Sequence, residues 1–352
     1  MGFSSVQLIT NSLIFLVVAS HVAHGQLVPG LCIFGDSISD VGNNDYLSTL
    51  IKADFLPYGR DFVTHSPTGR FCNGKLAIDF TAENLGFQSY PLPYLSPKAL
   101  GTNLLTGANF ASAGSGYYDL TSKLYGAISL SEQLNYYKKY QGDLGEVAGT
   151  LQAQNITSGS IFLLSTGSSD FLQNYYIDPL VRAAFSIDQF SDILMRSFAT
   201  FVQNLYKLGA RRIGVTNLPP LGCLPAAITM FGAGSNECVK YLNQDAAIFN
   251  KKLNATAQKL KCQLPGVKIV VFDIYQPLLN LVMKPSLSGF FETRKACCGT
   301  GTIETSLFCN SMSIGTCANA TEYVFWDGVH PSESANKIIA TDLMSQGIDL
   351  IS

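Results

Sequence analysis

The sequence predicts an α/β protein, a three-layer doubly wound sheet of about five parallel strands with helices on both faces. Two observations carry that prediction. Short apolar, β-branched runs recur, each followed by a turn of small residues: Leu31–Phe34, Ala108–Ala111, Ile161–Ser165, Arg212–Asn217 and Val267–Phe272. Stretches with helical spacing lie between or beside them. Strand and helix alternating at this rhythm give parallel pairing, and the crossovers are then right-handed.

The first run, Leu31-Cys32-Ile33-Phe34, has the composition of a strand buried on both faces. It breaks at Gly35-Asp36-Ser37, so Ser37 sits at its carboxyl end, the edge where open α/β sheets bind ligands. If a helix starts near Ser37, its free N–H groups and positive dipole end point at the same spot. Leu76–Leu85 has helical spacing after Asn73-Gly74-Lys75, and Ser131–Tyr140 opens with a capping residue. Ile187–Leu208 carries Phe190, Ile193, Leu194, Phe198, Phe201, Leu205 and Leu208, a 3.6-residue stripe of core type. Cys238–Leu260 continues that pattern, and Ser332–Met344 is the last helix, introduced by Pro331. Pro57–Arg70 and Ser286–Thr321 are irregular and read as surface loops near the carboxyl edge of the sheet.

Composition narrows the class. The chain has 352 residues, 47% hydrophobic and 14% charged, enough for a sizeable core. A net charge of −2 without a basic stripe argues against nucleic acid as a partner. Residues 1–25 read as a secretory signal, with an apolar core at Leu13–Ala19 and Ala23-His24-Gly25 before the cut. That apolar run is well short of the roughly 20 residues a membrane span needs, and no later segment qualifies as one. Residues 26–352 then form one domain of an exported protein. Asn155, Asn254 and Asn319 head glycosylation triplets, which suits export.

Nine cysteines fit the same compartment. Cys297, Cys298, Cys309 and Cys317 crowd one loop and read as local disulfides, with three pairings open. Cys223 and Cys238 flank a Gly/Pro-rich loop and could close it, whereas Cys32 reads as a buried free thiol. No Cys-x-x-Cys pair or nearby His supports zinc, and no metal or other cofactor is expected.

A serine nucleophile needs a base. With the signal removed only His65 and His330 remain, and His65 lies in a turn that reads as surface. His330 sits in Trp326-Asp327-Gly328-Val329-His330-Pro331, directly before the last helix. There Asp327 can accept from one imidazole nitrogen while the other faces Ser37, the arrangement of a Ser-His-Asp triad. An imidazole accepts and returns a proton near neutral pH.

The segment Phe34-Gly35-Asp36-Ser37-Ile38-Ser39-Asp40-Val41-Gly42-Asn43-Asn44, together with Asp327-Gly328-Val329-His330-Pro331, resembles the plant GDSL esterase/lipase family of the SGNH hydrolases. Thr68–Lys75, Gly107–Gly116 and Asn217–Pro225 extend the likeness, in the family's order, across nearly the whole mature chain. No Gly-x-Ser-x-Gly elbow occurs. The resemblance implies a flavodoxin-like SGNH hydrolase fold and cleavage of carboxylic esters without a metal. It also implies roles: Ser37 the nucleophile, His330 the base, Asp327 the group that orients it, and Ser37 and Gly114 the backbone donors of an oxyanion hole. Gly114 follows the second apolar run, where a missing Cβ permits close backbone approach.

One position departs from the family. Its third block usually reads Gly-x-Asn-Asp, and here it reads Gly167-Ser168-Ser169-Asp170. Ser169 therefore stands where the family has an amide donor to the oxyanion. The expected order is direct donation by its hydroxyl, then donation through water, then a weaker hole. The bland alternative is that Ser169 caps the following helix.

The expected function is a secreted serine esterase or lipase acting on a small-molecule or lipid ester. Acyl transfer through the same acyl-enzyme and a weakly active lipid- or wall-binding protein are the alternatives. The sequence sets no chain length, head group or oligomeric state.

Overall fold

Four of the five apolar runs pair edge to edge. A computed structural model of the chain describes residues 25–352, so the expected signal lies outside the described residues but for Gly25. The central sheet contains β1 Leu31–Gly35, β2 Ile161–Ser165, β3 Arg212–Thr216 and β4 Lys268–Phe272, all parallel and in that order. Gly35 pairs with Ser165, and Leu163 with Gly214.

The fifth run is a correction. Ala108–Ala111 lies against the free edge of β1 and touches it through a single bridge, Ile33 with Asn109. Two bonds flank that bridge, from Ile33 N–H to the Ala108 carbonyl at 3.1 Å and from Phe110 N–H to the Ile33 carbonyl at 2.7 Å, and a third runs from Ser112 N–H to the Gly35 carbonyl at 3.0 Å. The ladder is incomplete because the Gly35 N–H donates to the Gln133 side chain at 2.9 Å and not to this segment. The segment still occupies the outer position of the sheet. Chain order therefore reverses between β1 and β2, and Ser37 emerges from the sheet at that switch point.

Alternation along the strands sends their side chains into two cores. Phe34, Phe162, Leu164, Ile213 and Val215 join one large cluster with Phe190, Leu194, Phe198, Phe201 and Phe249. Helices Leu130–Ala148, Ile187–Lys207 and Lys240–Gln263 cover that face. Helix Ile187–Lys207 starts on a capping box made by Ser186 and Gln189. Leu31, Ile33, Ile161 and Phe272 point the other way, toward Ile78, Ala82 and Leu350. Helices Ala77–Asn84 and Glu333–Gln346 cover this second face and pack on each other.

Several expectations change in extent. No α-helix starts at Ser37. Residues 36–40 make one turn, with Ser39 and Asp40 N–H donating to the Asp36 carbonyl, and a 3₁₀ turn follows at Asn43–Tyr46. The Ser131–Tyr140 helix runs from Leu130 to Ala148: Ser129 is its cap, and the chain continues helical through Gly142 and Gly145, with Tyr140 and Leu144 still buried on its core face, to Gly149 at φ +78°. Thr150–Gly159 and Tyr275–Met283 are further helices. The irregular stretch Ser286–Thr321 contains β5 Glu292–Ala296, which pairs with β6 Tyr323–Phe325. Pro57–Arg70 is only partly surface, since Tyr58, Phe62 and Arg70 are buried.

The disulfides are Cys223–Cys238, Cys297–Cys317 and Cys298–Cys309. Cys32 and Cys72 are buried free thiols, and Cys262 is an exposed one. Asn155, Asn254 and Asn319 are all exposed, the first two on helices. Among the described residues no helix is long and apolar enough to cross a membrane.

Candidate active site

Ser37 follows β1 after two residues whose backbone is tightly held. Gly35 has φ +139°, and a Cβ there would lie 1.9 Å from the Ser165 carbonyl oxygen, so no larger residue fits between these strands. Gln133, fully buried on helix Leu130–Ala148, accepts from Gly35 N–H and donates to Gly35 C=O, both at 2.9 Å. After the serine, Asp40 accepts from Gly42 N–H at 2.8 Å, Asn43 N–H at 2.7 Å and Ala113 N–H at 3.0 Å. Asn43 donates to the Asn109 and Ala111 carbonyls, Asn44 donates to that of Ala113, and Asn109 donates to that of Ser39. This lattice of buried amides locks the Ser37 turn to the chain that leads into Gly114. Gly114 has φ +85° and is buried.

His330 arrives from the other end of the molecule. Its Nε2 lies 2.7 Å from Ser37 Oγ, across 293 positions of sequence. Its Nδ1 lies 2.8 Å from both carboxylate oxygens of Asp327. A carboxylate only accepts, so the proton sits on Nδ1 and Nε2 is left to accept from Ser37. Asp327 is wholly buried and takes the backbone N–H groups of Val329 and His330 on Oδ1 at 3.0 and 2.9 Å.

A residue that no sequence pattern singles out, Tyr58, completes the group around Asp327. Its hydroxyl donates to Asp327 Oδ2 at 2.7 Å and accepts the Ser306 N–H at 2.8 Å. Burial, and then the neighbouring Asp327 carboxylate, push the Tyr58 phenol well above its ordinary range, so it stays a donor. No periodicity marks Tyr58 in the sequence. Gln133 did carry a signal. It is a polar residue on the apolar face formed by Leu130, Leu134 and Tyr137, where a buried amide needs a partner.

The loops around His330 are tied down by covalent bonds. Cys297 and Cys298 N–H donate to the Phe325 and Trp326 carbonyls, just before Asp327, at 3.0 and 2.8 Å. Arg60 donates to the Cys317 carbonyl at 2.7 Å and lies over the Trp326 ring, 4.9 Å from its centre. His65 is exposed, and its Nδ1 lies 2.9 Å from the Arg60 carbonyl oxygen, so it is not the imidazole that meets Ser37.

Ser169 is buried, opens the single π-turn Asp170–Tyr175, and its side chain makes no capping bond, so the bland capping alternative is not what the structure contains. The next residue, Asp170, takes Tyr117 N–H at 2.7 Å, Tyr118 N–H at 3.1 Å and the Thr121 hydroxyl at 2.7 Å. It thereby anchors the downstream end of the Gly114 loop. Burial raises the Asp170 carboxyl to about 7, and burial likewise raises Asp36, next to the serine, to about 6. Among the described residues no three His, Cys, Asp or Glu side chains group as metal ligands.

Comparison with known proteins gives this arrangement a family. The model for GDSL-like Lipase/Acylhydrolase matches residues 31–343. The Arabidopsis thaliana protein GDSL esterase/lipase At5g03820 is 62% identical over 349 residues, covering 99% of each chain. GDSL esterase/lipase APG of the same plant is 57% identical, covering 97% of this chain and 99% of its own. An α/β hydrolase structure from the Lake Arreo metagenome covers 93% of this chain and 99% of its own, at 9% identity and a TM-score of 0.41, and adds nothing to the assignment. The chain belongs to the GDSL-like lipase/acylhydrolase family of carboxylic ester hydrolases.

Proposed function

We propose that the protein is a secreted serine esterase or lipase that works through an acyl-enzyme on Ser37. Its hydrolase domain is residues 26–352, released when the signal 1–25 is removed, and Asn155, Asn254 and Asn319 are accessible for glycans. The observation that carries the reading is the 2.7 Å contact between Ser37 Oγ and His330 Nε2.

The chemistry follows from that contact. Ser37 Oγ attacks the ester carbonyl as its proton passes to His330 Nε2. Asp327 holds the Nδ1–H and stabilises the imidazolium that forms. The Ser37 and Gly114 N–H groups receive the oxyanion, with the Ser169 hydroxyl in the position the family gives to an amide. The intermediate collapses with loss of the alcohol, which takes the proton back from His330. Water, deprotonated by the same nitrogen, then attacks the acyl-serine, and the acid leaves as Ser37 recovers its proton.

A fluorophosphonate probe tests the assignment. It is expected to label the wild type and not Ser37→Ala, and ester turnover should fall by about 10⁴-fold or more. Equal labelling of both proteins overturns it.

A further inference from the structure

We propose that the outer face of helices Ile187–Lys207 and Lys240–Gln263 is a docking surface for an acidic polysaccharide, a sugar polymer bearing carboxylates. The net charge of −2 conceals a division of charge along the chain. Residues 196–268 carry ten of the 23 Lys and Arg residues but only two of the 25 Asp and Glu residues. That is an excess of eight positive charges on a chain that is acidic elsewhere. No basic run marks it in the sequence, because the cations are spaced along helices among buried core positions.

The fold brings several of these cations to one surface. On helix Ile187–Lys207, Arg196, Thr200, Gln203 and Lys207 recur every three or four residues and so form a stripe. Thr256, Lys259 and Gln263 do the same on helix Lys240–Gln263, and a groove of about 420 Å³ lies between the two helices. Arg196 and Lys259 both line it. Its one carboxylate, Asp192, is taken by Lys252 at 2.5 Å. A second groove, of about 410 Å³, lies between Arg196 and Lys138 of helix Leu130–Ala148, with Asp119 as its one carboxylate. Among the described residues Lys138, Arg196, Lys207 and Lys259 form no ion pair.

The lining selects the partner. Hydroxyl and amide side chains between the cations, Thr200, Gln203, Thr256 and Gln263, match the hydroxyls of a sugar, and the cations match its carboxylates. An anionic membrane surface needs apolar anchors beside the charge. Helix Ile187–Lys207 exposes no large apolar side chain, and helix Lys240–Gln263 exposes only Tyr241, at its other end. Export, proposed above, keeps this face away from nucleic acid. The surface also leaves the ester site free. Both helices run down from the carboxyl edge of the sheet, where Ser37 lies, and Lys207 and Lys261 lead into the amino ends of β3 and β4. A polymer bound there holds the protein in place while Ser37 stays accessible.

The test is retention of the full mature protein on immobilised polygalacturonate, beside its fully methyl-esterified form and vesicles containing phosphatidylserine. Wild type should bind only polygalacturonate among the three and be released by about 0.5 M salt. Arg196→Glu with Lys259→Glu should weaken that binding by about tenfold or more, with p-nitrophenyl acetate turnover within about twofold of wild type. Lys207→Glu with Lys261→Glu, at exposed positions, repeats the test should the first pair not fold. The docking surface is overturned by a wild type that does not bind polygalacturonate, by unchanged binding in a folded variant of both pairs, or by equal binding to the esterified polymer or the vesicles. Ser37→Ala should bind as wild type does, so failure of the esterase reading leaves the result standing. Loss of binding in Ser37→Ala would place the polymer at the ester site and remove the surface proposed here.

Discussion

The two halves of the candidate site are built differently. The Ser37 half grows out of the regular sheet and is held by buried side-chain amides and carboxylates: Gln133 on Gly35, Asp40 on Ala113, and Asn43, Asn44 and Asn109 between neighbouring loops. The His330 half hangs on irregular chain, held by two nested disulfides, a short two-stranded sheet and the Tyr58 hydroxyl. Where a strand already sets position, a few hydrogen bonds suffice to aim a side chain. Where only loops do, covalent closure supplies the order that a ladder cannot.

This contrast is open to direct attack. The largest effect should come from opening Cys297–Cys317 and Cys298–Cys309, which close loops of 20 and 11 residues. Each bridge is worth roughly 3 kcal/mol on the chain-entropy account. Reduction, or Cys298→Ser with Cys309→Ser, should abolish ester turnover while far-UV circular dichroism keeps most of its amplitude. Loss of sheet and helix signal along with activity would mean the two halves are not separable. Next in size is Gln133→Ala, which leaves the N–H and C=O of Gly35 buried without partners. It should destabilise the whole domain by about 2–5 kcal/mol, read as a lower midpoint in denaturant. Tyr58→Phe should be gentler on stability, about 1–2 kcal/mol, yet should lower kcat by about tenfold because Asp327 loses one of the groups that orient it. Unchanged kcat would make Tyr58 structural only.

The smallest effect is on pH, where the buried carboxyls of the serine side and Glu304 on the histidine side titrate in opposite directions. On the serine side burial raises Asp36 and Asp40 to about 6, and Asp45 and Asp170 to about 7. A carboxyl whose folded pKa is raised binds protons more readily folded than unfolded, so stability should fall as pH rises from about 4 to about 7. On the histidine side burial acts to raise Glu304, but bonds from the Thr300 hydroxyl and nearby N–H groups outweigh it and hold the carboxyl at about 2. That contribution is present above the ordinary carboxyl range and is lost as pH falls through about 2. The thermal midpoint should therefore peak in mildly acidic buffer. A midpoint that rises steadily from pH 5 to pH 8 would contradict the serine-side assignment.

Much of the sheet was legible because its runs are apolar at nearly every position, a pattern that only doubly covered strands need. Ala108–Ala111 has a composition suited to a strand, but the Gly35 N–H that would extend its ladder is taken by Gln133 from a helix 98 positions away. The helix reaching Ala148 was not legible because Gly142 and Gly145 suggest an earlier end, and burial of Leu144 on the core face carries the helix past them. Ser37, Asp327 and His330 stand out in the sequence by scarcity, since only two histidines lie beyond residue 25, and by their motifs, and the structure brings the three within hydrogen-bond distance. Tyr58 does not stand out, because a single loop aromatic carries no period, and its role depends on a partner 269 positions away.

By itself the sequence determined the layered fold class, the residue types able to carry ester chemistry and the crowding of cysteines near the histidine. These are local or compositional properties, written in runs, spacings and counts. Only the tertiary structure decided which cysteines pair, that Gln133 takes the Gly35 N–H, and that Tyr58 reaches Asp327. Each of those depends on distances between segments far apart in the chain, and such distances exist only once the backbone has closed on itself.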